Sequence, residues 1–114
     1  MQIQLKRVYE PPADTDGTRI LVDRLWPRGL KKADADITEW MKEIAPSADL
    51  RKWFDHDPGR WAGFQSRYRA ELDAQRPLLD RLQQIARHGR LTLLFAARDT
   101  EHNNAVVLRD VLSG

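Results

Sequence analysis

The segment Leu91–Val111 constrains the fold of this chain more than any other part of the sequence. Its first seven residues, Leu91–Ala97, are apolar apart from one threonine and lack the alternation of a strand with one exposed face. Such a continuous run is typical of a strand whose sheet is covered on both faces. Six polar residues, Arg98–Asn103, follow it, and the apolar positions then adopt helical spacing. The segment therefore predicts a strand, a turn and a helix of an α/β protein.

Shorter apolar runs predict two strands before this segment, at Gln2–Val8 and Thr18–Leu25. Between them, Tyr9–Gly17 has two prolines and an Asp/Gly-rich end, so we expect a loop. Apolar residues at helical spacing predict four helices between the second strand and Leu91, and a fifth helix after the polar turn. The first four helices are expected at Asp36–Ile44, after the cap residue Ser47, after Asp57-Pro58, and from Pro77 to Gly89.

A long, mostly helical connection joins the second strand to the third, and such a crossover normally makes two strands of one sheet parallel. The sequence therefore predicts a single α/β domain over residues 1–114, with a small three-stranded, mostly parallel sheet covered by about five helices. It leaves open the direction of the first strand relative to the second.

The composition excludes several classes of protein. There are no cysteines, so thiol nucleophiles, disulfides and zinc–thiolate sites are absent, as expected in a reducing compartment. No apolar run suits a membrane span, and the N-terminus lacks the apolar core of a signal peptide, so we expect a cytoplasmic protein without a membrane partner. A net charge of +2 is far below the basic footprint of a typical nucleic-acid-binding protein. Neither a GxxxxGKS/T nor a GxGxxG motif is present, so no cofactor is expected.

Parallel strands end at the same edge of a sheet, which brings Asp23–Arg28 and Arg98–Asn103 together. Arg24, Arg28 and Arg98 are candidates for binding an anion there, because a guanidinium stays charged and its planar fork matches phosphate or carboxylate oxygens. Free N–H groups at the start of the last helix would strengthen such a site. In the alternative interpretation, the arginines pair with acidic neighbours and only fix the loops. Those neighbours are Asp23, Asp99 and Glu101.

Asp99 and His102 are the candidate catalytic residues. A neutral histidine beside a carboxylate can act as a general base near neutral pH, and the positive end of a helix dipole favours the neutral imidazole. Asp99 or Thr100 is also expected to cap the last helix, and His102 is better explained as a solvated residue of its first turn. Trp26, next to the arginines, is a candidate to cover the ligand, and Asn103 is a candidate to hydrogen-bond it.

The other aromatic residues fall on helical apolar stripes and are assigned to the core. The tripeptide Asp55-His56-Asp57 has the residue types of a metal site. Three ligands from one tripeptide have poor geometry, however, and Asp57 is already explained as a helix cap. We therefore expect no metal. Whether His56 and Asp57 join the site at the sheet edge is left open.

Three blocks of sequence together resemble a known family. They are DRLWPRG at Asp23–Gly29, LRKWFDHDPGRWAGFQSRYRAEL at Leu50–Leu72 and LLFAARDTEHNNAVVL at Leu93–Leu108. Over nearly its whole length, the chain resembles the YeaO-like branch of the bacterial domain-of-unknown-function family 488. The resemblance implies a small intracellular α/β protein, and it supplies no reaction. It marks ten positions for testing, which are Arg24, Trp26, Pro27, Arg28, His56, Asp57, Arg98, Asp99, His102 and Asn103.

The resemblance also implies one departure from the family. Longer and more distant members are expected to carry a Cys-His pair at the start of the last helix, where this chain has Asn103-Asn104. If those relatives use the thiol, this chain does not share their chemistry. The departure lowers the expectation of catalysis.

The leading hypothesis is a protein that binds a small anionic or phosphate-bearing ligand at the carboxyl edge of the sheet. Arg24, Arg28 and Arg98 would hold the anion, and Asp99 or His102 would serve as the base in a hydrolase or transferase reaction. The alternative hypothesis is a non-enzymatic module that binds a protein or a nucleic acid. Salt dependence separates the two, because nucleic-acid binding weakens steeply with ionic strength. The ligand and the oligomeric state are left open.

Overall fold

The computed structural model describes residues 1–114 and contains one four-stranded sheet. Its strands are β1 (Gln2–Arg7), β2 (Thr18–Leu21), β3 (Glu39–Trp40) and β4 (Arg90–Phe95). The order across the sheet is β1-β4-β2-β3, and every neighbouring pair is parallel, so the first strand runs in the same direction as the others. The expected α/β class with a parallel sheet is confirmed. The expected number of three strands is wrong, because β3 was not predicted.

The helices are α1 (Lys32–Ala35), α2 (Ala48–Phe54), α3 (Trp61–Leu72), α4 (Arg76–His88) and α5 (Asn104–Ser113). Helix α1 is a single turn, so four helices are longer than one turn, where about five were expected. Ser47 caps α2 by accepting a hydrogen bond from Leu50 N. Asp57 caps the short 3₁₀ turn before α3 by accepting one from Gly59 N. None of the helices has the length and apolar character that a membrane crossing requires.

The predicted helix Asp36–Ile44 is not formed. Two N–H groups of this segment instead donate to carbonyl oxygens of β2, and the segment joins the edge of the sheet as β3. Its apolar residues belong to two different cores, so their helical spacing did not indicate one helical face. Ile37 and Trp40 pack on one face of the sheet, and Met41 and Ile44 pack on the other.

The two faces of the sheet are covered differently. On one face, Ile20 and Leu93 belong to a core of 19 buried residues to which the four longer helices contribute. On the other face, Leu21 and Leu94 belong to a small cluster that the loop after β2 and strand β3 cover. All residues of Leu91–Phe95 are buried, which confirms that the continuous apolar run marks a strand covered on both sides.

A buried carboxylate, Asp16, holds the loop-covered face together at the amino end of the strands. Asp16 lies in a short 3₁₀ turn before β2, and only 1% of its surface is exposed. Its side chain accepts hydrogen bonds from Gln4 Nε2 and Lys6 Nζ, both at 3.0 Å, and from Arg19 Nη1 at 2.5 Å. Thr92 Oγ1 of β4 donates to the Asp16 carbonyl at 2.6 Å. One residue of the predicted loop therefore bonds to three neighbouring strands.

The surroundings of Asp16 shift the pKa of its carboxyl group. Burial raises this pKa, but the hydrogen bonds from Lys6, Ala13 N and Arg19 outweigh burial, so the pKa lies well below its ordinary value of 3.8. A carboxyl group whose pKa is lowered by folding stabilises the folded state above the pKa of the unfolded chain. This contribution is lost as the pH falls below 3.8 toward the pKa of the folded state.

We predict that Asp16→Asn lowers the free energy of unfolding by about 3–5 kcal/mol, because Lys6 and Arg19 then lack the charge that compensates them. The matched control is Asp14→Asn, an exposed aspartate of the same turn, which should change it by less than about 0.5 kcal/mol. Urea unfolding at pH 7, followed by circular dichroism, measures both. Below pH 4 the stability of Asp16→Asn should also fall less steeply than that of the wild type. Equal effects of the two substitutions would contradict a stabilising role for the hydrogen bonds and ion pairs of Asp16.

Candidate anion-binding cleft

A cleft of about 880 Å³ lies at the carboxyl edge of the sheet, where β2 and β4 end. Most of its lining residues come from three segments, namely Asp23–Arg28 after β2, Arg51–His56 around the end of α2, and Ala96–Asn104 before and at the start of α5. The structure thus brings together Asp23–Arg28 and Arg98–Asn103, the two polar segments that were expected to meet because parallel strands end at one edge. The contribution of α2 was not predicted.

Five cationic side chains line the cleft, and none of them forms an ion pair. They are Arg24, Arg28, Arg51, Lys52 and Arg98. The interpretation in which the arginines pair with neighbouring carboxylates is therefore wrong. Arg24 does fix a loop, but it does so by donating to the carbonyl oxygens of Ala45 and Pro46, at 3.2 and 3.1 Å.

Asp23, by contrast, is fully engaged with the polypeptide around it. Its Oδ2 accepts a hydrogen bond from Ala96 N at 2.9 Å, and its Oδ1 accepts one from Asn104 Nδ2 at 3.2 Å. Burial raises the pKa of the Asp23 carboxyl, and these two hydrogen bonds offset part of that rise. Asp23 thereby joins the end of β2 to the end of β4 and the start of α5.

Asp99 and His102 form a hydrogen-bonded pair in the turn after β4. Asp99 Oδ1 accepts hydrogen bonds from Glu101 N and His102 N, and Asp99 Oδ2 lies 2.9 Å from His102 Nδ1. The bond from Glu101 N, and then that from the His102 side chain, lowers the pKa of the Asp99 carboxyl. Because an ionised carboxylate only accepts, Nδ1 carries the hydrogen, and Nε2 of the neutral ring keeps a lone pair. The His102 ring packs edge-to-face on Trp61, with 5.2 Å between centroids.

The last helix is capped by Asn103, and the expectation that Asp99 or Thr100 caps it is wrong. Asn103 Oδ1 accepts a hydrogen bond from Val106 N at 3.1 Å, and Nδ2 donates to Asp99 O at 2.9 Å. Nδ2 makes only this one hydrogen bond, so its second amide hydrogen is left for a ligand, although the residue is only 3% exposed. Several N–H groups of this region are thus occupied by side-chain oxygens. An anion in the cleft would meet mainly side-chain cations.

Trp26 lines the cleft, but its indole is fixed by the protein itself. Its Nε1 donates to Leu30 O at 2.8 Å, and its ring meets Trp40 edge-to-face with 5.6 Å between centroids. Tyr9, which also lines the cleft, donates its hydroxyl hydrogen to Arg28 O at 2.8 Å. Two aromatic side chains therefore fix the loop that carries the first two arginines.

His56 lines the cleft, and Asp57 does not. Asp55 and His56 both have left-handed backbone conformations, with φ of 46° and 52°, which are uncommon for residues other than glycine. They form a sharp reversal directly after α2. No three His, Cys, Asp or Glu side chains of the structure are grouped in a way that could hold a metal ion.

Arg51 and Lys52 are the cations of the cleft that sequence reasoning missed. They lie on α2, whose apolar residues indicate only how the helix packs. The one local signal is the neighbouring Asp55-His56-Asp57 turn, for which the sequence leaves open whether His56 and Asp57 join the site. The tertiary position of α2 beside the strand ends, which no local pattern encodes, places both cations in the cleft.

Comparison with known proteins identifies the family. Residues 2–114 match the family model DUF488-N3i, which is described as the inactive DUF488-N3 subclade. Uncharacterized protein YeaO of Escherichia coli (strain K12) is 51% identical over 112 residues, which cover 98% of this chain and 97% of the relative. Uncharacterized protein Rv3073c of Mycobacterium tuberculosis (strain H37Rv) is 38% identical over 113 residues, covering 99% and 95%. No solved structure matches the chain. The resemblance seen in the sequence is confirmed, and the chain belongs to the DUF488-N3i subclade.

We predict that Asn103→Ala lowers the free energy of unfolding by about 1–2 kcal/mol, because alanine cannot accept the hydrogen bond from Val106 N. Thr100→Ala is the matched control in the same turn, and it should change the free energy by less than about 0.5 kcal/mol. Equilibrium urea unfolding of the three proteins measures both effects. If Thr100→Ala lowers the free energy of unfolding as much as Asn103→Ala does, the assignment of the cap to Asn103 is wrong.

Proposed function

We propose that this member of the DUF488-N3i subclade binds a small anionic or phosphate-bearing ligand in the cleft. One observation carries the proposal: five cations line one cleft, and none has a carboxylate partner. Like charges held near one another repel, and a bound anion relieves that repulsion. Four of the five are arginines, whose planar guanidinium suits phosphate oxygens.

The distribution of charge supports the same conclusion. With neutral histidines, the cationic and acidic residues that line the cleft give it a formal charge of +2. This equals the net charge of the whole chain, so the rest of the protein is electrically balanced. Two of the carboxylates, Asp23 and Asp99, are already hydrogen-bonded to protein donors and are poorly placed to neutralise the cations. The excess positive charge is therefore concentrated where strand ends meet, which is the usual ligand position in such sheets.

The proposal assigns a role to each predicted site residue. Arg24, Arg28 and Arg98 hold the anion, Trp26 packs on the apolar part of the ligand, and Asn103 offers its remaining amide hydrogen. Arg24 keeps three N–H groups for this purpose, since two of its five donate to backbone carbonyls.

A hydrolytic or transfer reaction would use Asp99 and His102. Asp99 orients the imidazole, whose Nε2 would accept a proton from the attacking group. No serine, threonine or cysteine lines the cleft, and we assign the attack to a water molecule activated by His102. The description of the subclade as inactive favours binding without turnover, and binding is the function that we propose.

We predict that phosphate or a phosphate ester raises the melting temperature of the wild type in a concentration-dependent way, because it binds only the folded protein. Arg28→Ala and Arg98→Ala should each weaken binding by about tenfold or more, since a charge-assisted hydrogen bond contributes roughly 1.5–3 kcal/mol. Both arginines are exposed, so the unliganded variants should unfold within a few degrees of the wild type. A thermal-shift screen with phosphate, sulfate, nucleotides, sugar phosphates and short DNA and RNA measures these effects.

Arg87→Ala is the control for this screen, because Arg87 is an exposed arginine of α4 outside the cleft. It should respond to ligand like the wild type. The proposal fails if no anion shifts the melting temperature of the wild type. It also fails if the only effective ligands are nucleic acids whose binding weakens steeply as salt is added.

A further inference from the structure

The cleft carries its positive charge on two separate parts of the fold. Arg28 and Arg98 belong to the loops after β2 and β4, which we call the loop wall. Arg51 and Lys52 belong to α2, which we call the helix wall. All four side chains are exposed and lack an ion pair. Each wall therefore holds cations that are not in direct contact with a carboxylate.

Arg24 connects the two walls. Its backbone lies in the loop after β2, whereas its guanidinium donates to the carbonyl oxygens of Ala45 and Pro46, just before α2 begins. The guanidinium thus reaches from the loop wall to the start of the helix wall. Arg24 therefore adds a fifth cation between the loop that carries the loop wall and the helix that carries the helix wall.

The charge of the helix wall lies close to the strand ends. Arg51 lines the same cleft as Asp23 and the loop wall. Burial raises the pKa of the Asp23 carboxyl, the hydrogen bonds from Ala96 N and Asn104 Nδ2 lower it, and the nearby charge of Arg51 lowers it further. Asp23 lies at the end of β2 and lines the cleft beside the loop wall. The helix wall and the loop wall therefore border one cleft at the strand ends.

The cleft also has room and apolar surface for an organic molecule. Its volume of about 880 Å³ falls within the roughly 300–1,000 Å³ of pockets that hold drug-sized ligands, and one phosphate would leave most of it unfilled. Only three large hydrophobic side chains of the structure are exposed, and two of them, Tyr9 and Leu25, line this cleft. Exposed apolar side chains beside unpaired cations favour a ligand that is both apolar and anionic.

We propose that the ligand is an organic diphosphate. Its two linked phosphoryl groups bind one to each wall, with Arg24 between them, and its organic part contacts Tyr9 and Leu25. A diphosphate carries negative charge at two linked points, which matches two cationic walls better than a single phosphoryl group does. This inference rests on the proposed anion-binding function and adds the class of ligand.

Titration calorimetry of the full chain at constant ionic strength tests the two walls, with inorganic phosphate and inorganic pyrophosphate as probes. We expect pyrophosphate to bind at least about tenfold more tightly than phosphate. In the double variant Arg51→Ala, Lys52→Ala, pyrophosphate affinity should fall by about tenfold or more, while phosphate affinity changes by less than about threefold. Arg69→Ala, an exposed arginine of α3 outside the cleft, is the control and should change neither affinity.

Titrations with ADP, UDP and isopentenyl diphosphate test the organic part. We expect at least one of these to bind more tightly than pyrophosphate. Leu25→Ser should remove that advantage and leave pyrophosphate affinity unchanged, because the exposed Leu25 side chain contributes only apolar contact. Failure of all three to exceed pyrophosphate would overturn the organic part of the inference.

The remaining outcomes separate the inference from the proposed function. Equal affinities for phosphate and pyrophosphate, or unchanged pyrophosphate binding by the folded double variant, would overturn the inference and leave anion binding intact. Absence of binding by either probe to the folded wild type would refute anion binding itself. Displacement of pyrophosphate by short single-stranded RNA, with affinity that falls steeply as salt rises, would assign the cleft to nucleic acid and overturn the inference.

Discussion

The cleft depends on one interaction, the hydrogen bond that the Asp23 side chain accepts from Ala96 N. The backbone ladder between β2 and β4 ends just before it, where Val22 N donates to Leu94 O. Beyond that point the Asp23 carboxylate takes the place of a backbone carbonyl. The segments after β2 and β4 can therefore separate while the Ala96 N–H group keeps a hydrogen-bond acceptor. Asn104 bonds to the same carboxylate and keeps the start of α5 close to the strand ends. A side chain therefore determines where the sheet ends and the cleft begins.

Charged side chains have different partners at the two edges of the sheet. At the amino edge, Asp16 holds Lys6 and Arg19 in a buried network in which opposite charges meet directly. At the carboxyl edge, the Asp23 and Asp99 carboxylates accept hydrogen bonds from amide and imidazole donors, so the nearby cations have no partner. One edge is stabilised by its own charges, and the other keeps positive charge available. This asymmetry suits a sheet that binds ligands at its carboxyl edge.

Sequence reasoning located the sheet edge but only part of the cleft. The strand, turn and helix of Leu91–Val111 could be predicted, because a strand buried on both faces has a continuous apolar run instead of alternating apolar and polar residues. The position of the cleft could be predicted because parallel strands end at one edge of a sheet. Periodicity failed at Asp36–Ile44, where neighbouring apolar residues serve two cores. The cap of α5 could not be assigned from sequence, because Asp99 and Asn103 are both residue types that cap helices. Tertiary contacts decide between them. The cations of α2 were missed for a related reason, since only the packing of that helix brings them to the strand ends.

The central position of β4 also determines when the sheet can assemble. Gln4 of β1 lies opposite Thr92 of β4, 88 residues later in the chain. On the ribosome, β1 and β2 emerge first, and the only strand that β2 can then pair with is the two-residue β3. Closing so long a loop slows folding, and the edges of the early strands stay open until β4 arrives. The chain therefore completes its sheet and its cleft together in one late step, and a nascent chain that stops before Arg90 has neither.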